Sequence, residues 1–136
     1  MKIVVVDLDG INNGAVIKTL LASKFPSAEI KAAAASEKQA GKKTTRLIKT
    51  TAKSVLGLEV EGIVSEPITA DIINSADKII VENKNNINLI QRRLGKEALK
   101  DKAVVELGIK SGHGLKGEVL ENNLKSLVEK TSSIQL

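Results

Sequence analysis

The first 21 residues constrain this chain more than any other segment. Four consecutive apolar residues, Ile3 to Val6, lead into the loop Asp7-Leu8-Asp9-Gly10-Ile11-Asn12-Asn13-Gly14, and a helical pattern follows from Ala15 to Leu21. An uninterrupted apolar run predicts a strand that is buried on both faces. A buried strand, a short glycine-containing loop and a helix form the usual geometry for binding phosphate. The loop amides and the helix N-terminus converge on one point and favour negative charge there.

The side chains of the same loop conflict with that geometry. Asp7 and Asp9 place two carboxylates in it, and the loop contains no Arg, Lys or Cys. An anion that approached the amides would therefore meet negative side chains. Either the carboxylates do chemistry, or they have replaced the anion.

The rest of the chain alternates between apolar strand patterns and helical patterns. Further strands are predicted over residues 30–35, 78–81 and 103–107, and residues 60–64 are expected to be extended. Helices are predicted over residues 47–56, 69–75, 85–94 and 117–130; Gly57 and Gly95 end the first and third of these. This alternation predicts an α/β protein with a parallel sheet covered on both faces. Ligands of such sheets bind beyond the carboxyl ends of the strands, where the loops after Val6 and Leu107 lie.

Composition excludes several classes of protein. The 136 residues fit one domain, 1–136, and Phe25 is the only aromatic residue, so the stacking platforms of single-stranded nucleic-acid readers are absent. The net charge of +5 comes from 21 basic residues mixed with 16 acidic ones, which favours a solvated surface over nucleic-acid binding. The lack of cysteine excludes disulfides and thiol catalysis. No signal-peptide pattern or membrane-length apolar run is present, so we expect a cytoplasmic protein without a membrane partner.

The order of elements resembles the low-molecular-weight protein tyrosine phosphatase family over nearly the whole chain. The matching segments are Met1 to Leu21, Gly57-Leu58-Glu59 with Ser65-Glu66-Pro67-Ile68-Thr69, Ser75 to Glu82, and Asp101-Lys102 followed by Val104 and Leu107-Gly108. The resemblance implies a three-layer sandwich around a four-stranded parallel sheet of order 2-1-3-4, with flavodoxin-like winding. It also implies that no cofactor or metal is needed. Residues 7–14 are then the phosphate-loop equivalent, and Ser111 and His113 the acid-loop equivalent.

The catalytic residues of that family are missing from these positions. Its phosphate loop carries a nucleophilic Cys, five further residues, Arg and Ser; here these positions hold Asp7, Asn13 and Gly14. The family's chemistry needs a thiolate nucleophile and a guanidinium that holds the phosphoryl oxygens. Its general acid belongs to an Asp-Pro pair, and the only prolines here are Pro26 and Pro67. By that mechanism the chain should be inactive.

A second resemblance involves the same loop. Val5-Val6-Asp7-Leu8-Asp9-Gly10 is similar to the first motif of the haloacid dehalogenase superfamily, which implies a nucleophilic Asp7, an acid/base Asp9 and Mg²⁺ held by both. Ile11 departs from that motif, and the fourth strand offers only Glu106 as a late acidic residue.

Each candidate residue also has a purely structural interpretation. Asp7 and Asp9 can cap the turn that follows them, and Asn12, Asn13, Gly10 and Gly14 can supply left-handed backbone. His113 can be a solvated loop residue or a replacement acid. The basic run of Lys42, Lys43, Arg46 and Lys49 can be a solvated helix face or a docking site for an acidic partner.

Three functions remain open from the sequence. The first is a silent phosphatase-like binding or regulatory module, whose partner is an unknown protein or a small anionic ligand. The second is an Mg²⁺-dependent phosphomonoesterase that uses Asp7. The third is a structural domain with no ligand at the loop.

Overall fold

A computed structural model describes residues 1–135 as a four-stranded parallel sheet between two layers of helices. The strands are β1 (Lys2–Asp7), β2 (Glu29–Ala34), β3 (Lys78–Val81) and β4 (Ala103–Glu106), in the order β2-β1-β3-β4. The helices are α1 (Asn13–Lys24), α2 (Arg46–Leu56), α3 (Ala70–Ser75), α4 (Lys84–Leu94) and α5 (Gly117–Ser132). The predicted fold class and strand order are confirmed.

The central strand β1 is buried on both faces, as its apolar run predicted. Ile3 and Val5 face a core formed with α1, α2 and α5, whereas Val4 and Val6 face a second core formed with α3 and α4. Because successive side chains of a strand point to opposite faces, a continuous apolar run is what two cores require. This arrangement places the loop after β1 in the middle of the carboxyl edge of the sheet.

Most predicted boundaries agree with the structure within one or two residues. The αL backbone of Gly57 (φ 64°) ends α2 and lets its N–H reach the carbonyls of Ala52 and Lys53. Residues 60–64, which the sequence predicted to be extended, form no strand of the sheet. Only Val64 pairs, in an isolated antiparallel bridge with Lys43. Val60 packs instead against the core on the α2 side of the sheet.

No helix within residues 1–135 is long and apolar enough to cross a membrane.

Candidate functional site

The loop between β1 and α1 is held close to the neighbouring strand β2. The N–H of Ala35 donates to the Asp7 carbonyl, and the N–H of Ser36 donates to the Leu8 carbonyl. Gly10 has a φ of +74°, and a Cβ there would lie 2.9 Å from the Ala34 nitrogen. This position therefore needs glycine, both for its backbone angle and for space. Asn12 and Gly14, in contrast, do not adopt left-handed backbone, which corrects the expectation for these residues; Asn13, also expected there, has no positive φ either.

The Asp7 side chain lies inside the loop rather than at its mouth. It is only 1% exposed; its Oδ1 accepts a hydrogen bond from the Gly10 N–H at 2.7 Å, and its Oδ2 accepts one from the Gly14 N–H at 2.9 Å. A Cβ on Gly14 would come within 2.7 Å of Asp7 Oδ1. The absence of a side chain at position 14 thus leaves room for the carboxylate against the first turn of α1.

Asp9 binds the remaining turn of the loop in the same way. Its Oδ1 accepts from the N–H groups of Ile11 and Asn12, both at 3.0 Å, and its Oδ2 accepts from Asn12 Nδ2 at 2.7 Å. The Ser65 hydroxyl donates to the Asp9 carbonyl at 2.6 Å. The hydrogen bonds expected of capping aspartates are therefore present for both Asp7 and Asp9.

Glu82 contributes a third carboxylate that the sequence interpretation did not single out as a site residue. It follows β3 directly and is fully buried; its Oε1 accepts from the Leu8 N–H at 3.0 Å and its Oε2 from Asn13 Nδ2 at 2.8 Å. The signal for it was available, because an acidic residue directly after a strand that neighbours β1 lies at the same sheet edge. Glu106, the acidic residue considered at the end of β4, is exposed.

Asn13 lies where the resembled family has its arginine, and its side chain is completely buried. Its Nδ2 donates to the Lys110 carbonyl at 2.9 Å as well as to Glu82, and its Oδ1 accepts from Asn123 Nδ2 at 3.0 Å. A Cβ on Gly112 would lie 2.5 Å from Asn13 Oδ1. The amide thus joins the loop to the segment after β4 and to α5, and it contributes no charge to the site.

The electrostatics of this cluster are unusual because none of the Lys, Arg and His side chains of residues 1–135 is buried with it. Burial raises the pKa of Asp7 well above its ordinary value, and the charges of Glu82 and Asp9 raise it further. Burial also raises the pKa of Glu82, although hydrogen bonds from Asn13, Asn86 and Leu8 oppose this shift. The loop amides and the N-terminus of α1 are what stabilise the negative charge.

His113 approaches the cluster from the solvent side. Its Nδ1 lies 3.1 Å from Asp9 Oδ2, and its side chain is 46% exposed. Ser111 Oγ accepts a hydrogen bond from the His113 N–H at 3.2 Å. A pocket of about 340 Å³ opens beside them, with Leu8 and Leu89 among its lining residues. The structure therefore brings both predicted segments, residues 7–14 and 111–113, to one place.

The cluster does not fit a magnesium ion. Both oxygens of Asp7 are directed at backbone N–H groups, and Asp9 accepts hydrogen bonds from two loop N–H groups and an amide side chain. Across residues 1–135 there is no group of three or more His, Cys, Asp and Glu side chains that could hold a metal ion.

Comparison with known proteins gives a match in structure but none in sequence. No protein-family model matches the chain, and no curated protein sequence is significantly similar to it. Wzb of Vibrio vulnificus, solved with benzylphosphonate, superposes with a TM-score of 0.83 at 18% identity, over 97% of this chain and 94% of that one. The tyrosine phosphatase Wzb of Escherichia coli K30, solved with sulphate, gives 0.84 at 17% identity, over 96% and 93% of the two chains.

A third structure carries the family's name. The low-molecular-weight protein tyrosine phosphatase of Bacillus subtilis superposes with a TM-score of 0.76 at 17% identity, over 96% of this chain and 92% of that one. These matches cover nearly the full length of both partners, and the strand order agrees with the one implied by the sequence resemblance. This chain therefore has the fold of the low-molecular-weight protein tyrosine phosphatases.

Proposed function

We propose that this chain is a catalytically silent phosphatase-fold protein that acts as a binding or regulatory module. The observation that supports the proposal is that the loop N–H groups already donate hydrogen bonds. The N–H groups of five residues donate to carboxylates of the chain itself: Leu8, Gly10, Ile11, Asn12 and Gly14. An oxyanion at the same place would need these donors.

The cost of inserting a phosphate supports the same conclusion. Two unit charges 4 Å apart interact by about 4 kcal/mol at the effective dielectric constant of sites near a protein surface, which corresponds to roughly a thousandfold in affinity. A phosphate would have to displace Asp7 and would still lie near Asp9 and Glu82. The side chains of the cluster also have hydrogen-bond partners without a ligand. Among the buried side-chain nitrogen and oxygen atoms of residues 1–135, only Thr131 Oγ1 lacks a hydrogen-bond partner, and Thr131 is in α5.

The reacting groups of the resembled family are also missing from this chain. Asp7 replaces the thiol, Asn13 replaces the guanidinium, and no Asp-Pro pair supplies a general acid. A protein is the partner class that we propose for the module, since the buried carboxylates oppose a small anion at the loop.

The proposal is tested by assaying p-nitrophenyl phosphate hydrolysis with EDTA and again with excess Mg²⁺, beside E. coli K30 Wzb as the active control. We expect no turnover above the rate of the Asp7→Asn variant in either buffer. Hydrolysis that requires Mg²⁺ and disappears in Asp7→Asn would instead establish the phosphomonoesterase.

A binding measurement complements the assay. Benzylphosphonate and sulphate are added during ¹H–¹⁵N NMR, and the amide signals of residues 8–14 are followed. We expect these signals not to move at concentrations that saturate Wzb. Saturable shifts confined to this loop would refute the replacement of the anion by carboxylates.

A further inference from the structure

A cationic and apolar surface lies next to the loop and is not used by the carboxylate cluster. We define the rim patch as Lys42, Lys43, Arg46, Leu47, Lys49 and Val64, all of them exposed. We propose that the rim patch docks an acidic segment of a partner protein. This inference names a partner for the proposed binding module and rests on that function.

The rim patch is built on a fixed backbone. Lys43 and Val64 form an antiparallel bridge, the N–H of Ser65 donates to the Lys42 carbonyl at 2.7 Å, and the N–H of Thr44 donates to the Ile63 carbonyl at 2.9 Å. The cations are therefore carried by paired segments and by the first turns of α2. Pre-ordered backbone lowers the conformational cost of binding.

The four cations of the patch form no ion pair with an acidic side chain of residues 1–135. Five pairs between Lys or Arg and Asp or Glu form within residues 1–135, and none of them includes Lys42, Lys43, Arg46 or Lys49. Glu66, two residues after Val64, pairs instead with Lys31 at 2.6 Å. The unneutralised charge of this surface is thus available to a partner.

The position of these cations costs the fold some stability. They precede or occupy the first turns of α2, which has no acidic residue in its first turn. Positive charge at the positive end of a helix dipole is unfavourable, and the like charges also repel each other. An acidic partner would relieve both effects.

The apolar members favour a protein segment over other polyanions. Leu47 is 46% exposed and Val64 is 54% exposed, which makes them two of the few large apolar side chains that residues 1–135 leave in solvent. Aliphatic side chains between cations complement a peptide that alternates carboxylates with apolar residues. Nucleic acid would gain nothing from them, and the chain's only aromatic ring, Phe25, lies outside the patch.

Residues next to the rim patch in the sequence are hydrogen-bonded to the loop. The Thr45 hydroxyl donates to Asn12 Oδ1 at 3.2 Å, and the Ser65 hydroxyl donates to the Asp9 carbonyl. The rim patch therefore lies directly beside residues that hold the loop in place.

The test uses fluorescence anisotropy of a fluorescein-labelled peptide that repeats Glu-Glu-Leu, with the full chain. Four substitutions to Gln at Lys42, Lys43, Arg46 and Lys49 remove the patch charge. A matched control carries the same number of Lys and Arg substitutions at Lys84, Arg92, Lys96 and Lys130, which are exposed on α4, just after it and on α5. We expect the patch variant to bind at least about tenfold more weakly than the control.

Other outcomes overturn the inference. These are no saturable peptide binding by the wild-type chain, equal loss in both variants, and tighter binding of duplex DNA or phosphatidylserine vesicles than of the peptide. Leu47→Ser should also weaken peptide binding, and the salt dependence of that binding should stay unchanged. Because phosphatase activity is measured separately, a failure here leaves the catalytic silence untouched, whereas turnover would refute the silence alone.

Discussion

Replacing Gly14 by Ala tests directly whether the Asp7 carboxylate lies inside the loop. Gly14 is the second residue of α1 and has no positive φ, so its backbone conformation suits alanine. In an ordinary helix, Gly→Ala stabilises by up to about 1 kcal/mol. Here the new Cβ would lie 2.7 Å from Asp7 Oδ1 and 3.1 Å from its Cγ.

We therefore expect Gly14→Ala to destabilise the protein, the opposite of its effect in an ordinary helix. Asp7 is fully buried and bonded through both oxygens, so it cannot move aside freely. Overpacking of a buried site costs about 1–3 kcal/mol, which matches or exceeds the helix gain. We expect Gly14→Ala to lower the free energy of unfolding by up to about 2 kcal/mol once a helix gain of about 1 kcal/mol is subtracted. Gly62→Ala is the matched control, because its Cβ would lie just as close, at 2.6 Å, to the flexible end of Lys49. It should cost less than about 0.5 kcal/mol.

The assay is urea unfolding of a double-mutant cycle. In the Asp7→Ala background the collision is gone, so Gly14→Ala should become neutral or stabilising, with a coupling energy of about 1–3 kcal/mol. Asp7→Ala alone leaves two buried N–H groups without an acceptor and should destabilise by itself. A stabilising Gly14→Ala in the wild-type chain, or a coupling energy near zero, would refute the placement of Asp7 that the proposed function depends on.

Three further predictions follow from the same geometry. The raised pKa of Asp7 means that the folded chain binds its proton more tightly than the unfolded chain. Its contribution to stability is therefore complete below the ordinary carboxyl pKa and is lost as the pH rises through the folded value. Urea titrations from acid to neutral pH should show the stability of Asp7→Asn relative to wild type rising with pH, by at most about 1.4 kcal/mol per unit; a constant difference would contradict this. Gly112→Ala should displace the buried Asn13 amide and destabilise by about 1–3 kcal/mol in urea unfolding, and a neutral effect would show that the amide is not held there. Gly57→Ala and Gly10→Ala both force alanine to a positive φ, but only position 10 is crowded, so thermal melts should show a loss of about 1 kcal/mol at Gly57 and a clearly larger one at Gly10; equal losses would contradict the close approach.

The sequence patterns by themselves predicted a parallel sheet, and the resemblance to the low-molecular-weight phosphatase family implied the order of its strands. The four apolar residues of β1 could only be accommodated between two cores, and alternation with helical patterns then required parallel strands. Gly57 predicted the end of α2, because glycine adopts left-handed backbone at little cost in free energy. For residues 60–64 the sequence did not decide whether the segment joins the sheet, since a short apolar alternation does not reveal whether its side chains face a neighbouring strand or pack against helices.

Some features of the loop are determined by local sequence, and others depend on residues far away in the chain. The contradiction between an amide-rich turn and two aspartates was visible in residues 7–14. Hydrogen bonds such as those of Asp9 to Ile11 and Asn12 span two or three positions, so a local pattern was enough to predict them.

Only the tertiary structure brought Glu82, Asn123 and His113 to the loop, across separations of 69 to 110 positions along the chain. The raised pKa of Asp7 has the same origin, because burial and the charge of Glu82 depend on which strands meet at one edge. The hydrogen bonds that Asp9 accepts from the Ile11 and Asn12 N–H groups join residues that are close in the sequence, so nearby residues encode them. The gathering of several carboxyl groups in one buried place depends on how distant segments pack.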